Sequence, residues 1–492
     1  MSDLPFSYQK IDSTTWAYLS SLLLIALFFK FNRFWSIRNL DLLLIVLLAP
    51  GLLMIESGRY QTAQFVRNST SVETSIDANG ASVTETPTGF DDINRIASND
   101  HPVTADNSAP PGFAWQLSGF IWLFSVGLLL LVRLLMDHSL KRRPVLEPNL
   151  SQGGLFFFAG SLFLILTANV ILSEPAADDL EGAKNAIKLL QREVAEPVDV
   201  KQLRQRGPGL QLFFVFPIMS TFDNGGEILQ TDADELENIG RYIVAAKILA
   251  IVTQSLIVLG LILFCHRNFD NLSVGVGTAA IYLMLPYTAM HTVNVMHTLP
   301  AALMLWAAVC FRIPWLSGLL IGLATGVAYY PLFLLPLWAS FYWERGWKKF
   351  LMFVATGVVI CVIGGSVLTS VDSAGFIAQL RSMFGFWYPR MDDLQGIWAL
   401  GWSSWWRLPI LVTFVALCFS FIGWPTEKNL GTLVSYTAAI MVAVQFWHAL
   451  DGGLHMAWYL PLLLIVIFRP NMTGRIASLE IANARGKQID VA

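Results

Sequence analysis

Long apolar runs separated by short polar connections make up most of the chain. They predict membrane-spanning helices at 15–31, 40–55, 113–135, 154–172, 242–264, 273–290 and 295–311. Further runs follow at 316–329, 332–342, 350–368, 408–422, 433–447 and 455–468, for about thirteen crossings. The runs on either side of Pro331 are short, and Pro331 disfavours helical geometry at Tyr330 before it, so the two are predicted to meet in a turn. At membrane depth such a turn has to be lined by protein or open on water, because lipid satisfies no backbone group. The expected fold class is therefore all-α, a polytopic transmembrane helical bundle.

Basic residues alternate along this pattern. Lys30, Arg33 and Arg38 flank one connection, and Lys141, Arg142 and Arg143 another. Arg267, then Arg312, then Arg345 with Lys348 and Lys349, then Lys428, and finally Arg469 and Arg475 continue the series. They fall on every second connection, as the positive-inside rule requires for an N-terminus outside and a C-terminus inside. Counting 316–342 as one crossing would break the alternation, so charge supports the turn at Pro331. The inner connections carry scattered basic residues that topology alone explains.

Two long connections lie on the outer side by this count. Residues 56–112, rich in Ser, Thr, Asn, Asp and Pro, are expected to be loosely ordered. In the second, Leu180, Ala183, Ile187, Leu190 and Val194 recur at helical spacing, while Glu181, Lys184, Lys188 and Arg192 line another face. That is an amphipathic helix suited to the membrane surface. The apolar run 210–219, bounded by Pro208 and by Asp223 to Gly226, is too short to span and reads as a dipping or interfacial segment. Three parts result: an N-terminal three-span module (1–150), a transmembrane core (151–470) and a cytoplasmic tail (471–492).

Composition excludes a soluble protein: hydrophobic residues make up 55% and charged residues 14%, and the mean hydropathy is +0.56. A net charge of −3 with no basic arm gives no sign of a nucleic-acid partner. Cys265, Cys310, Cys361 and Cys418 lie in or beside apolar runs without CxxC spacing and read as small buried hydrophobes, and no metal-ligand pattern is present.

Polar side chains at the outer ends of the spans suggest chemistry on that face. Glu174, Asp178 and Asp179 follow the fourth span, His291, Asn294 and His297 lie between the sixth and seventh, and Tyr329 and Tyr330 cap the turn. The connection at 369–407 supplies Arg381, Trp387, Tyr388, Arg390, Asp392, Asp393 and Arg407, and His448, Asp451 and His455 separate the last two spans. Each alone is an ordinary interfacial or solvated residue, and Trp398 to Trp406 read as interfacial anchors. Their shared side is what points to a site.

The order CHRN, LPYTAMHTVNVMHTLPAALMLWA, SGLLIGLATGVAYYPLFLLPLWA resembles the GT-C superfamily of integral-membrane glycosyltransferases, and within it the bacterial polyprenyl-phosphate-mannose-dependent mannosyltransferases. Asn294 matches the family's polar turn and Pro331 its hairpin proline. FWHALDGGLHMAWYLPLLLIVIF, with His455 and Tyr459, is similar to its closing element. The match covers residues 154–469; 1–150 have no assigned counterpart. Where the family carries Lys before the hairpin proline, this chain has Ala328-Tyr329-Tyr330, and its acidic loop lacks the aromatic residues that follow the family's Asp.

The resemblance implies a catalytic carboxylate just after the core's first span, which falls on Asp179 or Asp178. The donor it implies is a polyprenyl phosphate sugar (mannose-like) and no bound cofactor, with transfer to a glycan, lipid or protein acceptor on the outer face of the cytoplasmic membrane. Arg390 and Arg407 would pair with the donor phosphate, and His291, Asn294, His297, Tyr330, His448 and His455 would complete the substrate site. A transporter or flippase for a lipid-linked or anionic substrate, and a non-catalytic membrane scaffold, remain alternatives. A transporter would show internal repeats, and no convincing one is found in the sequence.

Overall fold

The structure is a computed structural model that describes residues 12–76, 111–140, 148–175, 177–191, 207, 209–221, 232–369, 394–426, 428–472, 474–476 and 480–481. The described residues are helical, apart from connections and one isolated bridge between Asn429 and Ile476. In chain order the α-helices are α1 (Ser13–Phe28), α2 (Ile37–Val46), α3 (Leu48–Ile76), α4 (Phe113–Leu135), α5 (Gln152–Leu172) and α6 (Ala177–Gln191). Next come α7 (Leu210–Thr221), α8 (Asp232–Phe269), α9 (Leu272–Met284), α10 (Pro286–His291), α11 (Val295–Val309) and α12 (Pro314–Val327). The chain ends with α13 (Leu335–Phe341), α14 (Trp347–Thr369), α15 (Arg407–Ser420), α16 (Leu430–Gln445) and α17 (Leu460–Phe468).

Five helical stretches are long and apolar enough to cross a membrane: Ile37–Asn68, Phe113–Ser139, Gln152–Leu172, Ile239–Phe269 and Trp347–Gly364. They carry exposed apolar side chains such as Phe157, Leu164 and Leu172 on α5, the surface that lipid covers. The other apolar helices are shorter. Every residue of α16 and of α17 is buried, and only Met296 and Trp306 of α11 are not. Helices apolar on all sides belong inside a bundle, and α11, α16 and α17 are buried accordingly. At nine residues, α17 is about 14 Å long, half of the roughly 30 Å hydrocarbon core.

The predicted turn at Pro331 is present. α12 ends at Val327, a 3-10 turn spans Tyr330–Leu334, and α13 follows. α12 lies against α14 at close range because its glycines are spaced by four. A Cβ added at Gly318 would stand 2.3 Å from Phe350 O, and one at Gly322 2.3 Å from Val354 O. This small-residue stripe lets two backbones approach as they do in membrane helix pairs.

Residues 56–76 differ from expectation: they continue α3 as helix rather than a loose loop, while 77–110 lie outside the described residues. Paired glycines bring the first part of this stretch against the next helix. A Cβ at Gly58 would meet Gly112 O at 2.7 Å, and one at Gly119 would meet Gly51 O at 2.8 Å, so α3 and α4 run together as a close antiparallel pair. The amphipathic helix is α6, and the apolar run 210–219 is helix α7, packed on it where Phe214 fills the space beside Gly182.

The N-terminal helices are joined to the rest at several levels. Trp16 Nε1 donates to Met284 O at 2.9 Å, and Ser435 Oγ donates to Leu134 O at 3.1 Å. Between these segments lies a buried ion network that the sequence pattern did not suggest. Arg133 holds Asp41 with two bonds of 2.7 Å and Asp137 with one of 2.9 Å. Asp137 also accepts from Arg469, and Arg38 donates to Arg469 O at 3.3 Å. Arg38, Arg133 and Arg469 are thus tied into the fold rather than merely marking an inner surface. Gly431, at the start of α16, faces Arg469, whereas Gln445 at its end faces His455. The two ends of this helix are about 24 Å apart.

Candidate functional site

At the Gln445 end, residues from three separate parts of the chain converge. His291 closes α10, Asn294 is the N-cap residue of α11, and His297 lies in the first turn of α11. Tyr330 opens the 3-10 turn, and His448 and His455 lie in the connection between α16 and α17. Their rings form one column. His291 stacks on His297 at 5.1 Å between centroids, His297 on His455 at 4.5 Å, and His455 lies 4.3 Å from His448. His448 meets Tyr330 at 4.4 Å, and Tyr330 stacks on Tyr329 at 4.0 Å. Tyr287 shares a 2.7 Å hydrogen bond with Nδ1 of His297.

Local backbone chemistry fixes the connection that carries two of these histidines. Gln445 Oε1 accepts from the N–H of Gly453 (3.1 Å) and of His455 (3.2 Å), while its Nε2 donates to His455 O at 3.4 Å. His448 Nδ1 accepts from Leu450 N–H at 3.1 Å. Asp451 and Gly453 take left-handed conformations (φ 48° and 97°) that let the chain fold back within a few residues. Arg59 of α3 pairs with Asp451, and Gln395 N–H donates to Ala449 O at 2.9 Å. Burial, with the Arg407 guanidinium adding to it, pushes His448 from 6.5 down to about 3, so this imidazole is neutral at physiological pH.

Arg407 is itself buried at the start of α15 and donates through Nε and Nη2 to Trp447 O at 3.1 and 3.0 Å. Its guanidinium carbon lies 5.9 Å from the centre of the Trp398 ring. Trp447 and Trp458 flank Tyr330 at 5.5 and 5.1 Å, and Trp458 lies 4.6 Å from His455.

Asp179 is fully buried in the first turn of α6, and its Oδ2 accepts from Val295 N–H at 2.9 Å. Val295 is the residue after Asn294 and two before His297. The carboxylate is thereby joined to the turn that starts the ring column, and α6 is docked on it. Asp178 occupies the same turn of α6, but its side chain is outside the described part. Arg390, with Arg381, Trp387, Tyr388, Asp392 and Asp393, lies outside the described residues. Glu174 is exposed. Sequence reasoning missed Tyr287, Gln445, Trp447 and Trp458. Gln445 had left a readable signal, an amide closing the apolar run LGTLVSYTAAIMVAVQ.

Among the described residues no group of three or more His, Cys, Asp or Glu is arranged to hold a metal ion. The histidine rings lie face to face, so their nitrogens do not converge as ligands would. Compared with protein-family models, with curated proteins and with solved structures, the chain matches none.

Proposed function

We propose that the chain is an integral-membrane glycosyltransferase of the GT-C kind, which moves a hexose from a polyprenyl phosphate carrier to an acceptor hydroxyl at the outer face of a cytoplasmic membrane. The observation that carries this reading is the hydrogen bond from Val295 N–H to Asp179, which brings an acidic residue of the amphipathic helix to the turn between His291 and His297. In this reading Asp179 takes the proton of the acceptor hydroxyl as its oxygen bonds to the anomeric carbon. The bond to the phosphate oxygen breaks, and polyprenyl phosphate leaves as an anion beside Arg407. A positioned carboxylate contributes about 10²–10⁴-fold in such a step. The ring column starts at the same turn, His291 and His297 standing on either side of Asn294.

The same Val295 bond is what a purely structural helix cap makes, and the two roles separate on substitution. Asparagine at 179 retains an acceptor for the N–H but is not a base. The direct test is transfer of radiolabelled hexose from its polyprenyl phosphate by purified, reconstituted protein. The reading requires acceptor-dependent release of polyprenyl phosphate; movement of the intact lipid across the bilayer without cleavage would contradict it and favour a flippase.

A further inference from the structure

The N-terminal helices hold the connections from which the ring column is built. Trp16 Nε1 of α1 donates to Met284 O at 2.9 Å, at the end of α9 and just ahead of α10 with its His291. Ser13 Oγ of α1 donates to Glu56 of α3 at 3.0 Å, and three residues further along α3 Arg59 pairs with Asp451. Asp451 lies between His448 and His455, and its carbonyl accepts from Leu454 N–H at 3.0 Å. One ion pair thus joins α3 to the turn that places two of the four histidine rings. Packing alone does not fix that turn. A small cavity opens beside it, lined by Phe124 and Gly127 of α4, Gln445 and Phe446, and Gly453 and Met456. Asp451 also takes a left-handed backbone (φ 48°), which for a residue with a Cβ has a cost that its contacts must offset.

We infer that Arg59 is a positioning residue for the ring column: through Asp451 it holds the turn 448–455 where His455 stacks on His297 and His448 meets Tyr330. Both stacks depend on the turn, with centroids at 4.5 and 4.4 Å. Aspartate suits position 451 twice over, since it tolerates the left-handed backbone better than most residues and offers a carboxylate to the guanidinium. The three-helix N-terminal part therefore completes the site without contributing a ring to it. This claim concerns where the rings stand and holds whether or not the protein transfers sugar.

The test is the rate at which diethyl pyrocarbonate modifies each histidine of the full-length purified protein in detergent, read residue by residue by mass spectrometry. His448 and His455 react when the turn opens, so their rates follow the population of the open turn. The exposed His138 and His266 serve as internal references. Arg59→Gln should raise the rates at His448 and His455 by about fivefold, the effect on a local opening of losing one partly buried ion pair. The references and the thermal midpoint should change little. Arg59→Lys keeps the charge and should restore most of the protection. Asp451→Asn keeps the tolerance for a left-handed backbone and should match Arg59→Gln, and the double variant should be no worse than either single. It also serves as the second arm should Arg59→Gln fold poorly. Wild-type rates in both single variants, or effects that add in the double, would overturn the positioning role. A rise that comes with a matching loss of thermal midpoint would make Arg59 a general stabiliser and overturn it equally. Selective uncovering of His448 and His455 in a protein that transfers no sugar would leave the positioning role standing and remove the transferase reading alone.

Discussion

Replacing Asp137 by Asn should destabilise the whole helical assembly, because Asp137 holds two arginines from different ends of the chain. Its side chain is fully buried and accepts from Arg133 at 2.9 Å and from Arg469. With the charge removed, Arg469 loses its carboxylate partner, while Asp41 keeps its two bonds of 2.7 Å to Arg133. Taking one partner from a buried ion pair costs about 3–5 kcal/mol, since the charges left behind stay desolvated. Asparagine still accepts one hydrogen bond, so the lower end of that range, about 3 kcal/mol, applies. The assay is the loss of monodisperse protein on heating in detergent, read by size exclusion, for Asp137→Asn, Arg469→Gln and the double variant. The double variant should be less damaged than the sum of the singles, because the second change relieves the charge left by the first. Asp137→Asn with a wild-type midpoint, or strictly additive losses, would refute the network as a link between the N-terminal helices and α17.

Gly322→Val should separate α12 from α14, since a Cβ there would stand 2.3 Å from Val354 O; lost yield of folded protein on expression checks it, and normal yield would contradict the close approach. His448 stays neutral in the folded protein down to about pH 3, whereas in the unfolded chain it protonates near 6.5. The unfolded state therefore binds the extra proton between those values. Stability should fall as pH drops from about 6.5 towards 3, and the fall should be smaller in His448→Gln, as thermal midpoints across that range would record.

The turn at Pro331 was legible because proline restricts the residue before it whatever surrounds them, and α4 was legible because its apolar run is flanked by clear polar breaks. The helix through 56–76 was not. Its polar composition is that of a loop, and the close approach of its start to α4 at Gly58 and Gly112 is revealed only by the partner helix. At the site, the histidines were legible as polar residues at span ends, and their single-column stacking depends on how α11 meets the connection after α16. Trp447 and Trp458 were illegible for a different reason. A tryptophan near a span end is ordinarily an interfacial anchor, and whether its N–H finds a partner is decided only by packing. Asp41 and Asp137 carried no signal in the sequence, since only packing brings Arg133 and Arg469 to them.

The central claim is that Asp179 is the base for sugar transfer, and its most direct measurement is the transfer rate of Asp179→Asn against wild type in reconstituted membranes. The variant keeps an acceptor for Val295 N–H, so its thermal midpoint should stay close to that of wild type. The account expects transfer to fall by about 10²–10⁴-fold with donor binding retained. Transfer at the wild-type rate in a folded Asp179→Asn protein would contradict it and reduce Asp179 to a cap on α11.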